Sequence, residues 1–403
     1  MKCDIGISQM QTKTQPGKSK FMNKSWEIFW RFLLLGCISF GGPAAHIGYF
    51  QHTFVQNLKW LSHDAYSKLI TLSQILPGPG SSQIGFAIGL QKAGLAGGIS
   101  AFLGFTLPSF ILMYWLAVSV DLDNPASWLT SISGGLKLLA VVIVLDAVFT
   151  MFSSFCKDRV SVLIMLLSML FLVVYQSFYT QLLILLVAML IGVTNSKTTI
   201  IHINISQVLK KVAWPPALIF ISLFLISLWL SEYDSFVGMF ATFYKNGSVV
   251  FGGGHVVLPL LQTSIGDTLT QQQFLFGYAA AQGVPGPMFT IATFMGAQWI
   301  INAPLTGAIL ATLTIFLPGF LLILSVNKGS QSLFQHPKFI GASAGINAAV
   351  VGFLMLALYD PVFTSAVHSY LDLGLVVIGF IGLKLFKPPI LLLIGIFIFL
   401  GFV

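Results

Sequence analysis

The chain has 403 residues, 56% hydrophobic and only 8% charged, where a soluble domain carries about a quarter charged residues. Apolar runs recur from about residue 26 onward without β-barrel alternation, so the composition predicts an all-α polytopic membrane protein and excludes a soluble globular domain. The net charge of +8 fits cytoplasmic loops facing anionic lipid better than a nucleic-acid partner.

Residues 1–25 form a basic tail with Lys2, Lys13, Lys18, Lys20 and Lys24, expected in the cytoplasm. No short apolar core with a small-residue cleavage site follows it, so the first span is expected to act as its own insertion signal. Cys3, Cys37 and Cys156 form no CxxC pair and suggest neither a disulfide framework nor a thiol metal site. No cofactor is expected.

In chain order, the predicted spans are 26–45, 66–90, 93–118, 128–151, 160–175, 179–193, 214–231, 236–258, 272–300, 305–326, 340–359, 369–383 and 388–403, about thirteen in all. With the N-terminus inside, 15 of the 20 basic residues lie inside, and only Lys59 and Lys68 fall outside. Arg31, Lys137 and Lys245 lie within spans, and the outer loops carry Asp121, Asp123, Glu232, Asp234 and Asp360. This bias predicts N-inside, C-outside and an odd number of spans.

The two halves match when shifted by about 210 residues. Phe40-Gly41-Gly42 answers Phe251-Gly252-Gly253, and Gln74 with Pro77-Gly78-Pro79 answers Gln282 with Pro285-Gly286-Pro287. Leu107-Pro108-Ser109-Phe110 answers Leu317-Pro318-Gly319-Phe320, and Gly135 answers Gly345. Four landmarks in order, at near-equal spacing, signify a duplication. The domains are therefore the tail 1–25, a first repeat 26–193, a basic loop (Lys197, Lys210, Lys211) with one linking helix in 194–235, and a second repeat 236–403. Six spans per repeat and a single extra helix between them predict inverted repeats. In secondary transporters such repeats frame a mid-membrane site with discontinuous helices.

Proline inside a helix removes a backbone hydrogen bond, and broken backbone at membrane depth is tolerated where it is buried in protein or lines a wet cavity. Half-helices beginning at Gly80 and Met288 would aim free N–H groups and positive dipole ends at the centre. Ser81, Ser82 and Gln83 follow the first break and Thr290 follows the second, all able to donate to an oxyanion. A kink that only aids packing is the alternative reading of one such break, and the duplicated pair with matching glutamines favours a site. Gly41-Gly42 and Gly252-Gly253 read either as close helix packing or as further unwound segments lining the path. His46 and His255, just past these breaks, read as locally hydrogen-bonded residues or as a proton-linked switch.

Of the intramembrane cations, Arg31 has Glu27 one turn earlier, where pairing or snorkelling explains it. Lys137 and Lys245 lie deeper and are the better anion-site candidates from position alone. Asp146 falls on roughly the opposite helix face from Lys137. No intramembrane carboxylate cluster suggests a cation pump, and no HExxH, GxSxG or paired aspartates suggest an intramembrane enzyme.

The stretches FWRFLLLGCISFGGPAAHIGYF (29–50), LPGPGSSQIGFAIG (76–89), AGLAGGISAFLGFTLPSFILM (93–113), FGGGHVVLPLL (251–261) and AQGVPGPMFTIATFMGA (281–297) resemble the chromate ion transporter family in its long, two-domain form. The resemblance covers about residues 26–403. It implies two oppositely oriented halves and export of chromate across the bacterial plasma membrane. It also implies a role for Arg31, which stands where the family usually has a basic residue ahead of the first FGGP. Lys245 stands where the second half more often has arginine, and a lysine there gives up bidentate recognition. The expected partners are a tetrahedral oxyanion and the lipid bilayer. Sulfate, with the same shape and charge as chromate, and a passive anion channel stay open as alternatives. The sequence leaves the oligomeric state undetermined.

Overall fold

A computed structural model describes residues 18–120, 127–196, 212–231, 233, 235–265, 268–326 and 336–402. Most of the basic tail, the loop lysines Lys197, Lys210 and Lys211, and the acidic residues Asp121, Asp123, Glu232 and Asp234 lie outside the described residues. The described chain is helical, apart from a single bridge between Val212 and Val326.

The first repeat runs α1 (Lys18–Ile38), α2 (Gly42–Phe50) with a π-helical extension Gln51–Asn57, α3 (His63–Ile75), α4 (Gly80–Ser119), α5 (Ser127–Phe155), α6 (Arg159–Val174) and α7 (Phe178–Asn195). The linking helix is α8 (Trp214–Leu230). The second repeat runs α9 (Phe236–Val249), α10 (Val257–Ile265), α11 (Gln271–Gly283), α12 (Ile291–Trp299), α13 (Pro304–Ser325), α14 (Pro337–Ala357), α15 (Tyr370–Phe386) and α16 (Ile390–Leu400). Helix α4 is interrupted at Ala93 and Gly94, where the backbone leaves helical geometry. Its two arms, 80–92 and 95–119, correspond to α12 and α13.

Five described helices are long and apolar enough to cross a membrane: Gly80–Ser119, Thr130–Phe155, Phe178–Asn195, Pro304–Ser325 and Pro337–Phe363. Helices α6, α8 and α16 are shorter and apolar. The 160–193 and 369–402 regions each hold two distinct helices.

Four of the expected spans are not spans with a break. They are hairpins. A continuous helix would hold Phe32 and Phe54 about 33 Å apart, yet their rings stack at 4.7 Å across the Gly41-Gly42 turn. Lys92 lies 4.7 Å from the Trp60 ring, which brings together the two ends of the segment containing Pro77-Gly78-Pro79. In the second repeat Ser264 donates to Asn246 at 3.2 Å across the Gly252-Gly253 turn. Gln273 donates to Gln298 at 3.3 Å across Pro285-Gly286-Pro287. Helices α1, α3, α9 and α11 thus each enter, turn at a glycine tip, and return as α2, the first arm of α4, α10 or α12.

The reversal comes from backbone that only glycine adopts readily. Gly78 has φ 123° and Gly286 φ 107°, and each sits between prolines that end the incoming helix. The hairpins are held by small-residue packing. Gly36 and Gly104 let α1 lie backbone-to-backbone on the second arm of α4, and Gly247 does the same for α9 on α13. Phe105 receives the edges of Phe32, Phe50 and His46, fixing the first hairpin to this arm.

Candidate functional site

All four tips meet. The Gly78 amide donates to the Val250 carbonyl at 2.7 Å, and the Gly286 amide donates to the Ser39 carbonyl at 2.9 Å. Gly78 and Gly286 are the central glycines of the two PGP motifs. Ser39 and Val250 each precede a Phe-Gly-Gly. The same bond is therefore made twice, in opposite senses, between the repeats.

The Leu-Pro-x-Phe landmarks take the other side of each tip. A side chain at Gly78 would meet the Gly319 Cα at 3.0 Å, and one at Gly286 the Ser109 Oγ at 2.9 Å. Each PGP tip thus docks on the other repeat's long helix. Gln83 reinforces the first dock, donating to Pro77 at 2.8 Å and to Gly319 at 3.4 Å. Stacked Phe86 and Phe320, 4.5 Å apart, close the seam.

Every hairpin presents one helix C-terminus and one N-terminus to the crossover, and the two are treated differently. At the C-terminal ends of α1 and α9, the Ser39 and Val250 carbonyls are hydrogen-bonded by the opposing tip. The N-terminal ends at Gly41, Pro79, Gly253 and Pro287 carry no side-chain cap. Uncapped N–H groups and the positive helix ends make this arrangement receptive to an anion.

A cavity of about 470 Å³ reaches two of these ends. Gly41 and Gly42 line it from the first repeat, Gly286 and Met288 from the second, with Gln282, His255, Asp146 and Tyr49 on its walls and the 388–391 turn at its mouth. The Gln282 Nε2, beside the Tyr278 side chain, meets no hydrogen-bond criterion among the described residues and is a donor that a ligand in the cavity can reach. Asp146 pairs with Lys384 at 2.6 Å, and the Lys384 ammonium lies over the Phe149 and Phe380 rings.

The sequence-selected residues divide clearly. Pro77, Gly78, Pro79 and Gly80 form one tip, and Pro285, Gly286 and Pro287 its counterpart. Gly252 and Gly253 oppose the first PGP as Gly41 and Gly42 oppose the second. Ser81 is hydrogen-bonded to His46 Nδ1 at 3.2 Å, whereas the buried Ser82 hydroxyl has no hydrogen-bond partner among the described residues. Thr290 donates to the Pro287 carbonyl at 2.8 Å, which occupies its proton locally. Gln74, the counterpart of Gln282, is exposed and meets Ser343 only through its backbone.

The three intramembrane cations do not line the cavity. Arg31 is exposed on α1. Lys137 is half-buried on α5, with no ion pair among the described residues. Lys245 donates to Ser231 at 2.8 Å and lies 4.8 Å from the Phe178 ring. The cation joined to the cavity wall is Lys384, whose partner Asp146 is the one acidic group in an otherwise apolar run of α5. That isolation is the signal in the sequence for Asp146; its pairing with a residue in the other repeat has none.

The fold is that of a multi-pass, all-helical membrane protein built on helical hairpins. Over residues 26–193 and 237–402 the chain matches the family described as chromate transporter, and it belongs to that family. It is 27% identical to a chromate transport protein of Pseudomonas aeruginosa over 81% of this chain and 79% of the relative. It is 28% identical to a probable chromate transport protein of Synechococcus elongatus over 87% of both chains. An uncharacterized transporter of Methanocaldococcus jannaschii is 27% identical over 81% of this chain and 82% of its own length. No solved structure matches. The family is one of transporters, and membership supports a role in chromate transport.

Proposed function

We propose that this protein exports chromate from the bacterial cytoplasm across the inner membrane, binding the oxyanion where the hairpin tips of two inverted repeats cross. The carrying observation is the doubled tip-to-tip hydrogen bond, Gly78 to Val250 and Gly286 to Ser39, beside uncapped helix N-termini that open on a cavity. Backbone N–H groups of Gly41, Gly42 and Ala44, and of Met288 and Phe289, with the Gln282 amide, serve as donors. The tips of 77–82 with 252–253 form the equivalent half-site toward the other face. Arg31, Lys137 and Lys245 then act at a distance, through the field that draws the anion in.

Among the described residues, four hairpins returning to the side they entered leave nine helices that we place across the membrane: the second arm of α4, α5 to α8, and α13 to α16. Four per repeat and one linker keep the N-terminus inside, the C-terminus outside and the repeats inverted. The hairpins also move Lys59 and Lys68 to the end shared with Lys92, which removes both exceptions to the positive-inside bias. On this topology the cavity opens inward.

The interlocked tips separate the cavity from the opposite face, which favours a carrier over an open channel. A dianion leaving a negative interior gains about 4–5 kcal/mol per 100 mV, from roughly 2.3 per charge, so membrane potential alone can drive export. The test is radiolabelled chromate uptake into everted vesicles with sulfate as competitor. Accumulation resistant to excess sulfate supports chromate export. Sulfate flux without chromate flux replaces the substrate and keeps the anion carrier.

A further inference from the structure

The duplication places two histidines in equivalent positions, and the structure treats them differently. His46 is fully buried. Its Nδ1 is hydrogen-bonded to Ser81 at 3.2 Å and its Nε2 to the Ser39 carbonyl at 3.2 Å. A carbonyl accepts only, so Nε2 carries the proton and Nδ1 accepts from Ser81: one neutral tautomer satisfies both contacts. Ser39 is also the acceptor of the Gly286 tip bond, so His46 belongs to the scaffold of the crossover.

His255 lines the cavity. Its Nδ1 meets the Tyr278 hydroxyl at 3.1 Å, and its Nε2 has no hydrogen-bond partner among the described residues. The charged and titratable groups around it are Asp146 on α5, paired with Lys384 on α15, then Tyr278 on α11 and Tyr49 on α2. Neighbouring α14 and the 288–290 turn present Asn347 and Met288, which do not ionise. The Asp146–Lys384 pair cancels its own charge. With a neutral His255, the cavity walls therefore offer a dianion helix ends and dipoles but no net positive side chain.

We propose that His255 is the proton-binding residue of the anion cavity, so that the oxyanion is bound together with one proton taken from cavity water. The proposal rests on the anion-carrier reading above. A proton on Nε2 turns the imidazole into a cation on the same wall as the bound anion, and each charge stabilises the other. By linkage, the anion raises proton occupancy as much as the proton raises anion affinity. A chromate carried with one proton moves one net charge instead of two, which also halves the voltage sensitivity of transport.

The experiment measures chromate binding by the purified, intact protein between about pH 6 and pH 8, comparing wild type with His255→Gln. Chromate itself titrates near neutrality, so the difference between the two proteins isolates the contribution of the protein. Wild type is expected to gain up to about tenfold more affinity per pH unit on acidification than the variant. Equal slopes overturn the proposal. A wild-type protein that binds no chromate at any pH overturns the anion-carrier reading itself, a separate and recognisable failure. Should His255→Gln fail to fold, proton uptake on adding chromate to weakly buffered wild-type protein, corrected for a protein-free blank, answers the same question. Net uptake supports the proposal and none overturns it.

Discussion

Gly286 hands its amide proton to the Ser39 carbonyl at 2.9 Å, tying the turn of one repeat's hairpin to the turn of the other. Gly78 and Val250 repeat the arrangement at 2.7 Å. Neither turn is complete without the opposite repeat, so the halves form one unit whose centre is built of backbone. In the proposed site, the uncapped helix ends at that centre supply the field that attracts the anion.

His46 carries this centre. Replacing it by alanine removes both its hydrogen bonds and its edge contact with Phe105. The Ser81 hydroxyl is left unpaired, at about 1–3 kcal/mol, and the Ser39 carbonyl keeps only the Gly286 amide, so with the lost ring packing His46→Ala is expected to lower the melting temperature of the purified protein markedly. A melt within a degree or two of wild type would remove His46 from the scaffold.

The hairpins make a topological claim. In a background with Cys3, Cys37 and Cys156 replaced by serine, a cysteine at Lys59 should react with an impermeant reagent in everted vesicles and not in intact cells. Labelling only in intact cells would restore the simple broken spans.

Hydropathy could not supply this feature. An apolar run interrupted by Pro77-Gly78-Pro79 reads alike whether the chain continues across or turns back, because composition carries no direction. The turn is decided by the positive φ of Gly78 and its dock on Gly319, a partner 241 residues away in sequence. Lys59 and Lys68, the two misplaced lysines, were the one visible sign. The helical membrane class, the duplication and the tips themselves were legible, since they rest on local composition and repeated motifs. Asp146 with Lys384 was not, because an ion pair between repeats leaves no spacing to read.

That pair yields a third test. Lys384→Gln leaves Asp146 as an unpaired negative charge on the cavity wall. Chromate KM is expected to rise several-fold, less so at high salt, since both side chains are about a third exposed and screened. The double variant Asp146→Asn/Lys384→Gln should return KM toward wild type. No recovery in the double variant would give Lys384 a direct role instead.

Lys245 is satisfied by Ser231 and the Phe178 ring, away from the cavity. Lys245→Gln is expected to change chromate KM by no more than about twofold, the size of a distant, screened charge. A tenfold rise would place its ammonium on the substrate path.

The most direct measurement is potential-driven chromate flux in everted vesicles, comparing wild type with Gly78→Ala and Gly286→Ala at matched membrane levels. A Cβ at either glycine meets the opposing helix at about 3 Å on backbone that alanine adopts only with strain. The expected result is strong flux in wild type and loss of at least about tenfold in both variants. Wild-type flux in either variant, with the protein still in the membrane, would contradict transport through the crossed hairpin tips.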